Sequence, residues 1–336
     1  MLTIASHLYA LGARVRRRTL SRSDAQRRLD RPVVSVGNLS VGGSGKTPLV
    51  AYIARLLEDG GERPAILSRG YARTRPEDGV TVVSDGIRLR ADLERAGDEP
   101  LMLARALPRV PVLVSADRYL AGRLAELRLG ATVHLLDDGF QHMVLARTVN
   151  LLVLDRDEVE RPRMLPKGRL REPLSAVRHA DALLATDPTI DRLALSGQLG
   201  VEDVFSVVRD VGPAIEDTLE GPRPVKAGSR VVAFSGIARP QRFEDETRAA
   251  GFDLAEAIRF RDHHPYSPGD LARIASRMKQ SSAVIALTTE KDLMRLLPLR
   301  PWPMRIAVRR MQVRVEPDTF GVWLLERLKG AAEASS

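Results

Sequence analysis

The sequence predicts an α/β fold with a mostly parallel sheet, and three observations predict it. Short apolar runs rich in β-branched residues alternate with stretches of helical spacing, the pattern of parallel strands joined by crossover helices. The first such run, VVSV at 33–36, passes into a glycine-rich turn that reopens as a helix. The chain has 336 residues, 44% of them hydrophobic, enough for a substantial core and, at ordinary domain sizes, about two domains.

The elements follow in order. Residues 1–20 place Ile4, Leu8, Leu11 and Val15 on one helical face, and four of the five residues 14–18 are arginine. That suits an amphipathic helix lying in an anionic membrane surface, or a helix packed on its own domain with a basic end. It lacks the long apolar core and cleavage site of a secretion signal. Strand 33–36 precedes helix 47–59, whose Leu49, Val50, Ile53, Leu56 and Leu57 keep helical spacing. Pro48 fits the first turn, where no N–H is missed, and Gly60-Gly61 supplies the stop. Strands at 65–67, 112–114, 133–136, 151–154 and 182–185 follow, with helices at 99–106 and 118–129. Residues 212–228 carry three prolines and three glycines and read as a linker or irregular connection. Beyond them come strand 230–234, helix 241–250, strand 283–287 and helix 291–297. A last strand at 305–308 or 313–315 precedes a helix at 319–329, and the tail 331–336 reads as frayed. The division is an N-terminal helix (1–20), a core (21–222), a smaller α/β domain (223–330) and a flexible tail. No internal repeat or low-complexity tract is present.

Composition removes several function classes. There are no cysteines, which excludes disulfides, thiolate metal sites and a cysteine nucleophile. A net charge of +9 favours an anionic partner, a phosphorylated substrate or lipid surface among them, or else a solvated arginine-rich face. Aromatics at 4% argue against the base-stacking platforms of single-strand nucleic-acid binders, and no nucleic-acid partner is expected. No apolar run approaches the ~20 residues of a membrane span.

The turn VGNLSVGGSGKT, ending at Thr47, is the strongest chemical signal. Backbone N–H groups at Gly42, Gly43, Ser44 and Gly45, with the helix N-terminus behind them, would cradle phosphate, as in a P-loop NTPase core. Lys46 would reach the β/γ-phosphates and the Thr47 hydroxyl would hold Mg²⁺. The usual pattern places glycine where Ser40 stands. Next is HLLDDGFQH at 134–142, a hydrophobic strand ending in Asp137 and Asp138. Beside a phosphate loop, such acids support a metal and its waters, and Gln141 could reach the ion; alone, the string is an ordinary turn. Arg69-Gly70-Tyr71, Gly97-Asp98-Glu99-Pro100 and Asp117-Arg118 follow strands or open helices, so they could gather at the C-terminal sheet edge, where open α/β folds bind ligands. Arginines there suit phosphate, and Asp98 could take a proton or cap the helix near Pro100. The loop LPKGRLREP at 165–173 concentrates basic groups around Glu172, which could hold the metal. In Asp262-His263-His264-Pro265-Tyr266, a histidine oriented by a neighbour and partnering a carboxylate base fits better than a metal site, for which no third ligand is apparent.

Together these clusters resemble the tetraacyldisaccharide 4'-kinase family of lipid A biosynthesis. The matching pieces are SVGNLSVGGSGKTP, SRGY, GDEP, DR, LDDGFQH, LPKGRLREPL, FSGIARPQRF, DHHPYS and TTEKD, in family order across nearly the whole chain. Ser40 fits the family's form of the loop; Arg147-Thr148 departs from its expected Arg-Asp. The resemblance implies ATP-dependent, Mg²⁺-assisted phosphorylation of the 4'-hydroxyl of a tetraacylated, 1-phosphorylated disaccharide. It implies a peripheral enzyme on the cytoplasmic face of the bacterial inner membrane, with no obligate protein partner, and ATP in a cleft between a P-loop core and a smaller α/β domain. Carried over by motif, Lys46 and Thr47 bind phosphate and Mg²⁺, and Gln141 and Glu172 help coordinate the metal. Asp98 is the base, assisted by His263 rather than His264. Asp137, Asp138 and His142 line the reaction centre, and Arg118 meets phosphate. The competing reading is a P-loop GTPase or metallochaperone-type switch. It would want an Asn/Thr-Lys-x-Asp element, and Thr289-Glu290-Lys291-Asp292 has glutamate before the lysine.

Overall fold

The computed structural model describes residues 2–20, 25–42, 45–218 and 221–333. The N-terminal half comprises α1 (Leu2–Leu20), β1 (Val33–Asn38), α2 (Lys46–Asp59), β2 (Pro64–Ser68), β3 (Thr81–Asp85), α3 (Leu93–Ala96), α4 (Asp98–Ala106), β4 (Pro111–Val114), α5 (Arg118–Leu129), β5 (Val133–Asp137), β6 (Val149–Leu154), α6 (Arg156–Glu160), β7 (Ala182–Ala185) and α7 (Arg192–Leu199). The remainder comprises β8 (Asp203–Thr218), β9 (Gly221–Pro224), β10 (Arg230–Ser235), α8 (Pro240–Ala249), β11 (Asp253–Arg259), α9 (Pro268–Gln280), β12 (Ile285–Thr289), α10 (Glu290–Leu296), β13 (Ile306–Glu316) and α11 (Thr319–Glu333).

The thirteen strands among the described residues join one sheet in the order β11-β10-β12-β13-β8-β7-β6-β1-β5-β2-β4-β3, with β9 paired to β8. Neighbours run parallel except at β3–β4, β8–β13 and β8–β9. Strands β1, β2, β4, β5 and β7 are buried along their whole length, as parallel strands covered by helices on both faces must be. Leu49, Val50, Ile53 and Leu57 of α2 are fully buried, each contributing about 1.5–3 kcal/mol relative to exposure.

Two features position the site. From β1 the chain crosses over β5 to reach β2 and later returns to β6 on the other side, so the C-terminal ends of β1 and β5 flank a topological switch point. The second feature is the join between the halves. The segment expected to be a linker is the far end of β8 followed by β9, and β8 pairs with β13 from Ser206–Glu316 to Glu216–Ala307. The misleading residues have structural uses. Gly212 and Pro213 lie where β8 spends two residues against one of β13, a bulge that tolerates a missing N–H. Pro222 and Pro224 sit in the short strand β9. The alternatives 305–308 and 313–315 are one strand, β13. The helical span of α11 reaches Glu333; residues 334–336 of the expected tail lie outside the described residues.

Helix α1 faces two ways. Ser6 and Arg17 are buried and Ala10 and Ala13 half-buried, a set at helical spacing that docks on the protein. Leu8, Leu11 and Val15, more than half exposed, form a stripe on the opposite side with Tyr9 beside it. Arg14, Arg16 and Arg18 are exposed, whereas Arg17 turns inward.

Candidate active site

The phosphate loop leaves β1 at Asn38. A Cβ on Gly37 would stand 2.5 Å from the Phe140 Cβ, so only glycine lets the turn after β5 lie across β1. Asn38 Nδ2 donates to the buried Ser40 Oγ at 3.0 Å, which accounts for serine where glycine is usual: it steadies Asn38. Gly45 adopts the left-handed region (φ 78°) and hands the chain into α2. Gly42 also has positive φ (97°); Gly43 and Ser44, expected to bind nucleotide, lie outside the described residues. Lys46 Nζ donates to Asn38 Oδ1 at 2.8 Å and stands 3.3 Å from Asp138 Oδ1. Thr47 is buried in the first turn of α2.

The two acids after β5 behave oppositely. Asp138 is a non-glycine residue at φ 52°, a conformation that is uncommon outside functional or turn positions. Its oxygens accept from Arg171 Nη1 at 2.9 Å and Nη2 at 2.8 Å. Burial opposes its charge, but Arg171 and Lys46 outweigh burial and hold the carboxyl far below the usual range. Asp137, in register with Val36 of β1, receives no such pair. Burial, then Glu99 and Asp138, push its carboxyl up to about 7. A raised carboxyl favours the fold fully below the unfolded value of about 3.9, and that contribution is lost as pH rises through about 7. Asp137→Asn, which mimics the protonated form, is therefore expected to melt higher than the parent at pH 8, with the gap shrinking toward pH 4. Calorimetry over that range checks it, and a gap independent of pH would contradict the assignment.

Around these acids stand cations and a neutral imidazole. Arg118, the first residue of α5, is buried beneath its Asp117 cap. Its guanidinium donates to the Ala116 carbonyl at 3.3 Å and has no carboxylate within 4.0 Å among the described residues. Burial and the neighbouring Arg69 lower it to about 10. Two like charges held together this way are discharged by an anion. His142 is lowered to about 4 by burial and by Arg118 and Arg147, so it is neutral at pH 7, and its buried Nε2 has no partner among the described residues.

Gln141 Nε2 donates to the Asn38 carbonyl at 2.9 Å and to Glu172 Oε1 at 3.1 Å, while Gln141 Oε1 is buried without a partner among the described residues. Both oxygens of Glu172 accept from Arg17, at 2.5 Å and 2.8 Å, so the carboxylate expected beside the metal is anchored from the first helix. Among the described residues no three His, Asp or Glu side chains form a cation cage. Donors of the kind Mg²⁺ takes are the Thr47 hydroxyl, the Gln141 oxygen and the Glu172 carboxylate that is hydrogen-bonded to the same amide. That suits an ion which keeps waters and takes most of its remaining ligands from phosphate.

Asp98 and His263 come from opposite halves of the chain and meet, His263 Nδ1 to Asp98 Oδ2 at 2.9 Å. Gly97 caps α4, so Asp98 is the first helical residue and not its cap. Burial would raise the Asp98 carboxyl, but His263, Lys291 and Arg295 prevail and hold it below the ordinary value. His263, at φ 56°, has Tyr71 edge-on with ring centroids 5.3 Å apart. Lys291 Nζ lies 3.1 Å from His263 Nε2 and 3.0 Å from Glu99 Oε1. An ammonium on Nε2 assigns the ring proton to Nδ1, aimed at Asp98. His264 turns away to Asp270 and stacks on Phe260. Lys291 and Arg295 were not singled out from sequence, although the TTEKD string contains the lysine. Beside Thr47 and Pro48 a cavity of about 360 Å³ opens between α2, α4, α10 and β13, walled by Met102, Met294, Met311 and Val313.

The tetraacyldisaccharide-1-P 4'-kinase family matches residues 1–329. A tetraacyldisaccharide 4'-kinase of Syntrophus aciditrophicus is 38% identical, covering 98% of this chain and 93% of that protein. One from Geobacter metallireducens is 40% identical over 89% of each. A crystal structure of LpxK from Aquifex aeolicus in complex with ATP superposes with a TM-score of 0.76 at 33% identity, covering 97% of this chain and 98% of that one.

Proposed function

This chain belongs to the tetraacyldisaccharide-1-P 4'-kinase family, and from that premise we propose which residues carry its reaction and which face meets its lipid. The enzyme uses ATP to phosphorylate the 4'-hydroxyl of a tetraacyldisaccharide 1-phosphate in lipid A biosynthesis. The observation that carries the residue roles is the meeting of Asp98 with His263 within a site that also holds the phosphate loop.

Phosphoryl transfer passes through a loose transition state, so alignment and charge neutralisation supply most of the acceleration. Lys46 and the N-terminus of α2 hold the β/γ-phosphates, and the cavity beside Thr47 receives the remainder of the nucleotide. Arg118 with Arg69 takes the charge on the transferring group or on a substrate phosphate. Asp138 orients Lys46 and Arg171, and Asp137 and His142 line the centre. Thr47 and Gln141, with Glu172 beside them, would hold Mg²⁺, which would supply charge neutralisation to the phosphates. Asp98 stays ionised and accepts the proton of the 4'-hydroxyl. His263 donates Nδ1–H to Asp98, and Lys291 fixes the ring from its other side. Because these partners come from both halves, seating them together also excludes water.

The lipid face is the stripe Leu8, Leu11 and Val15 of α1, opposite its docked side, with exposed arginines for anionic headgroups. No helix among the described residues is long and apolar enough to cross a membrane. Attachment is therefore read as peripheral, at the cytoplasmic face of the inner membrane where ATP is available. The test presents the acylated disaccharide 1-phosphate in phosphatidylethanolamine–phosphatidylglycerol vesicles with ATP. A mass gain of one phosphate on the disaccharide is expected, and its absence overturns the reaction. Leu8→Asp/Leu11→Asp should weaken vesicle binding by about 10²-fold or more with ATP affinity kept. Unchanged partitioning would move the membrane contact elsewhere.

A further inference from the structure

Arg17 is the buried member of an arginine cluster whose neighbours are exposed, and it reaches the reaction centre from the helix read as membrane-facing. Its Nε and Nη2 grip both oxygens of Glu172, Nη2 also donates to the Phe140 carbonyl at 3.1 Å, and the guanidinium lies 4.5 Å over the Phe140 ring. Glu172 accepts from Gln141 Nε2, and the same nitrogen donates to Asn38. With both amide hydrogens committed, the amide has one satisfied orientation, and it leaves Oε1 as the orphaned acceptor. The opposite orientation would set an amide oxygen against a carboxylate and a carbonyl.

The same helix holds the start of this loop. Ser6 Oγ donates to the Met164 carbonyl at 3.2 Å and accepts from the Lys167 N–H at 3.4 Å. Residues 164–172 are thus pinned at one end by Ser6 and at the other by Arg17, eleven residues and three turns along α1.

We infer that Arg17 is a positioning residue: through Glu172 it fixes the Gln141 amide with its oxygen toward the ATP-associated cation, so docking of α1 conditions the reaction centre. This rests on the reading of Gln141 as an oxygen donor to that cation. Losing the guanidinium leaves a buried carboxylate unpaired and frees the amide to turn. Supporting residues of this kind typically change metal affinity or activity about 10–100-fold. Lysine is no substitute, because a single ammonium cannot span both oxygens and the Phe140 carbonyl.

The experiment titrates Mn²⁺ into the full chain with a non-hydrolysable ATP analogue, read by electron paramagnetic resonance, for the parent, Arg17→Lys, Arg17→Ala and Gln141→Ala. Both Arg17 variants are expected to bind Mn²⁺ about 10–100-fold more weakly. Their kcat should fall comparably, with KM for the lipid and phosphatidylglycerol-vesicle binding unchanged. Arg17→Lys keeps the charge and gives the result if Arg17→Ala does not fold. Weakened Mn²⁺ binding in Gln141→Ala with parental affinity in the Arg17 variants would overturn the role of Arg17 alone. Parental affinity in Gln141→Ala would overturn the reading of Gln141 and this inference with it. An effect confined to lipid KM would make Arg17 a substrate contact instead.

Discussion

Lys46→Ala is expected to lose about 10²–10³-fold in kcat while melting within a few degrees of the parent. The size follows from the chemistry: where the transition state is loose, a preorganised cation on the transferring group is worth more than any covalent assistance. The survival of the fold follows from the contacts. When the ammonium is removed, Asp138 keeps both hydrogen bonds from Arg171, and Asn38 keeps Arg171 at 2.7 Å together with Ser40. No buried charge is stranded, which is the usual cause of large losses when one ion-pair partner is deleted. Phosphate-transfer rates measured beside calorimetry separate the two effects. Near-parental turnover would remove Lys46 from the phosphates, and a collapsed melting temperature would make it a structural residue.

The parallel half of the sheet was readable because its strands are buried on both faces and so print as unbroken apolar runs. Strands β3 and β11 were not found: β11 is mostly half-buried and mixes Glu256 with alanines, so neither run nor alternation stands out. Strand β8 was obscured by Pro213, which reads as a breaker until the bulge opposite Arg310 is known. Arg309 and Arg310 split β13 into two candidates for the same reason. Helix α9 was missed despite a legible signal, the Ser267–Asp270 capping box with Pro268 at its first turn.

At the site, the motifs marked which residues gather, and the fold decided how they pair. The string GDEP alone leaves Asp98 open as cap or as base; in the fold Gly97 takes the cap and the 262–266 loop brings His263 to the carboxylate. The partner that anchors Glu172, Arg17, lies 155 positions away in the first helix, beyond the reach of any local pattern. No local pattern separates the buried Arg17 from Arg16 or Arg18. The same holds for Lys291, whose role comes from standing between Glu99 and His263.

Asp98→Asn is expected to lower kcat about 10³-fold with ATP affinity retained, the range of a positioned general base. Asparagine keeps the shape and a hydrogen bond to His263 but cannot take the hydroxyl proton. His263→Ala should cost less, since Lys291 and Arg295, the latter 3.6 Å from Asp98, still keep the carboxylate ionised while its orientation is lost. The double variant is the sharper measurement. If His263 acts only through Asp98, then once the carboxylate is gone its removal changes little, and the two losses do not add. Because Asp98 is held below the ordinary carboxylate range, its protonation lowers the rate only at more acid pH than a free aspartate would. A limb near neutral pH therefore belongs to another group at this centre, where burial pushes the Asp137 carboxyl up to about 7. Fully additive losses would contradict this arrangement, because they require His263 to reach the substrate on its own, through an Nε2 that here faces Lys291.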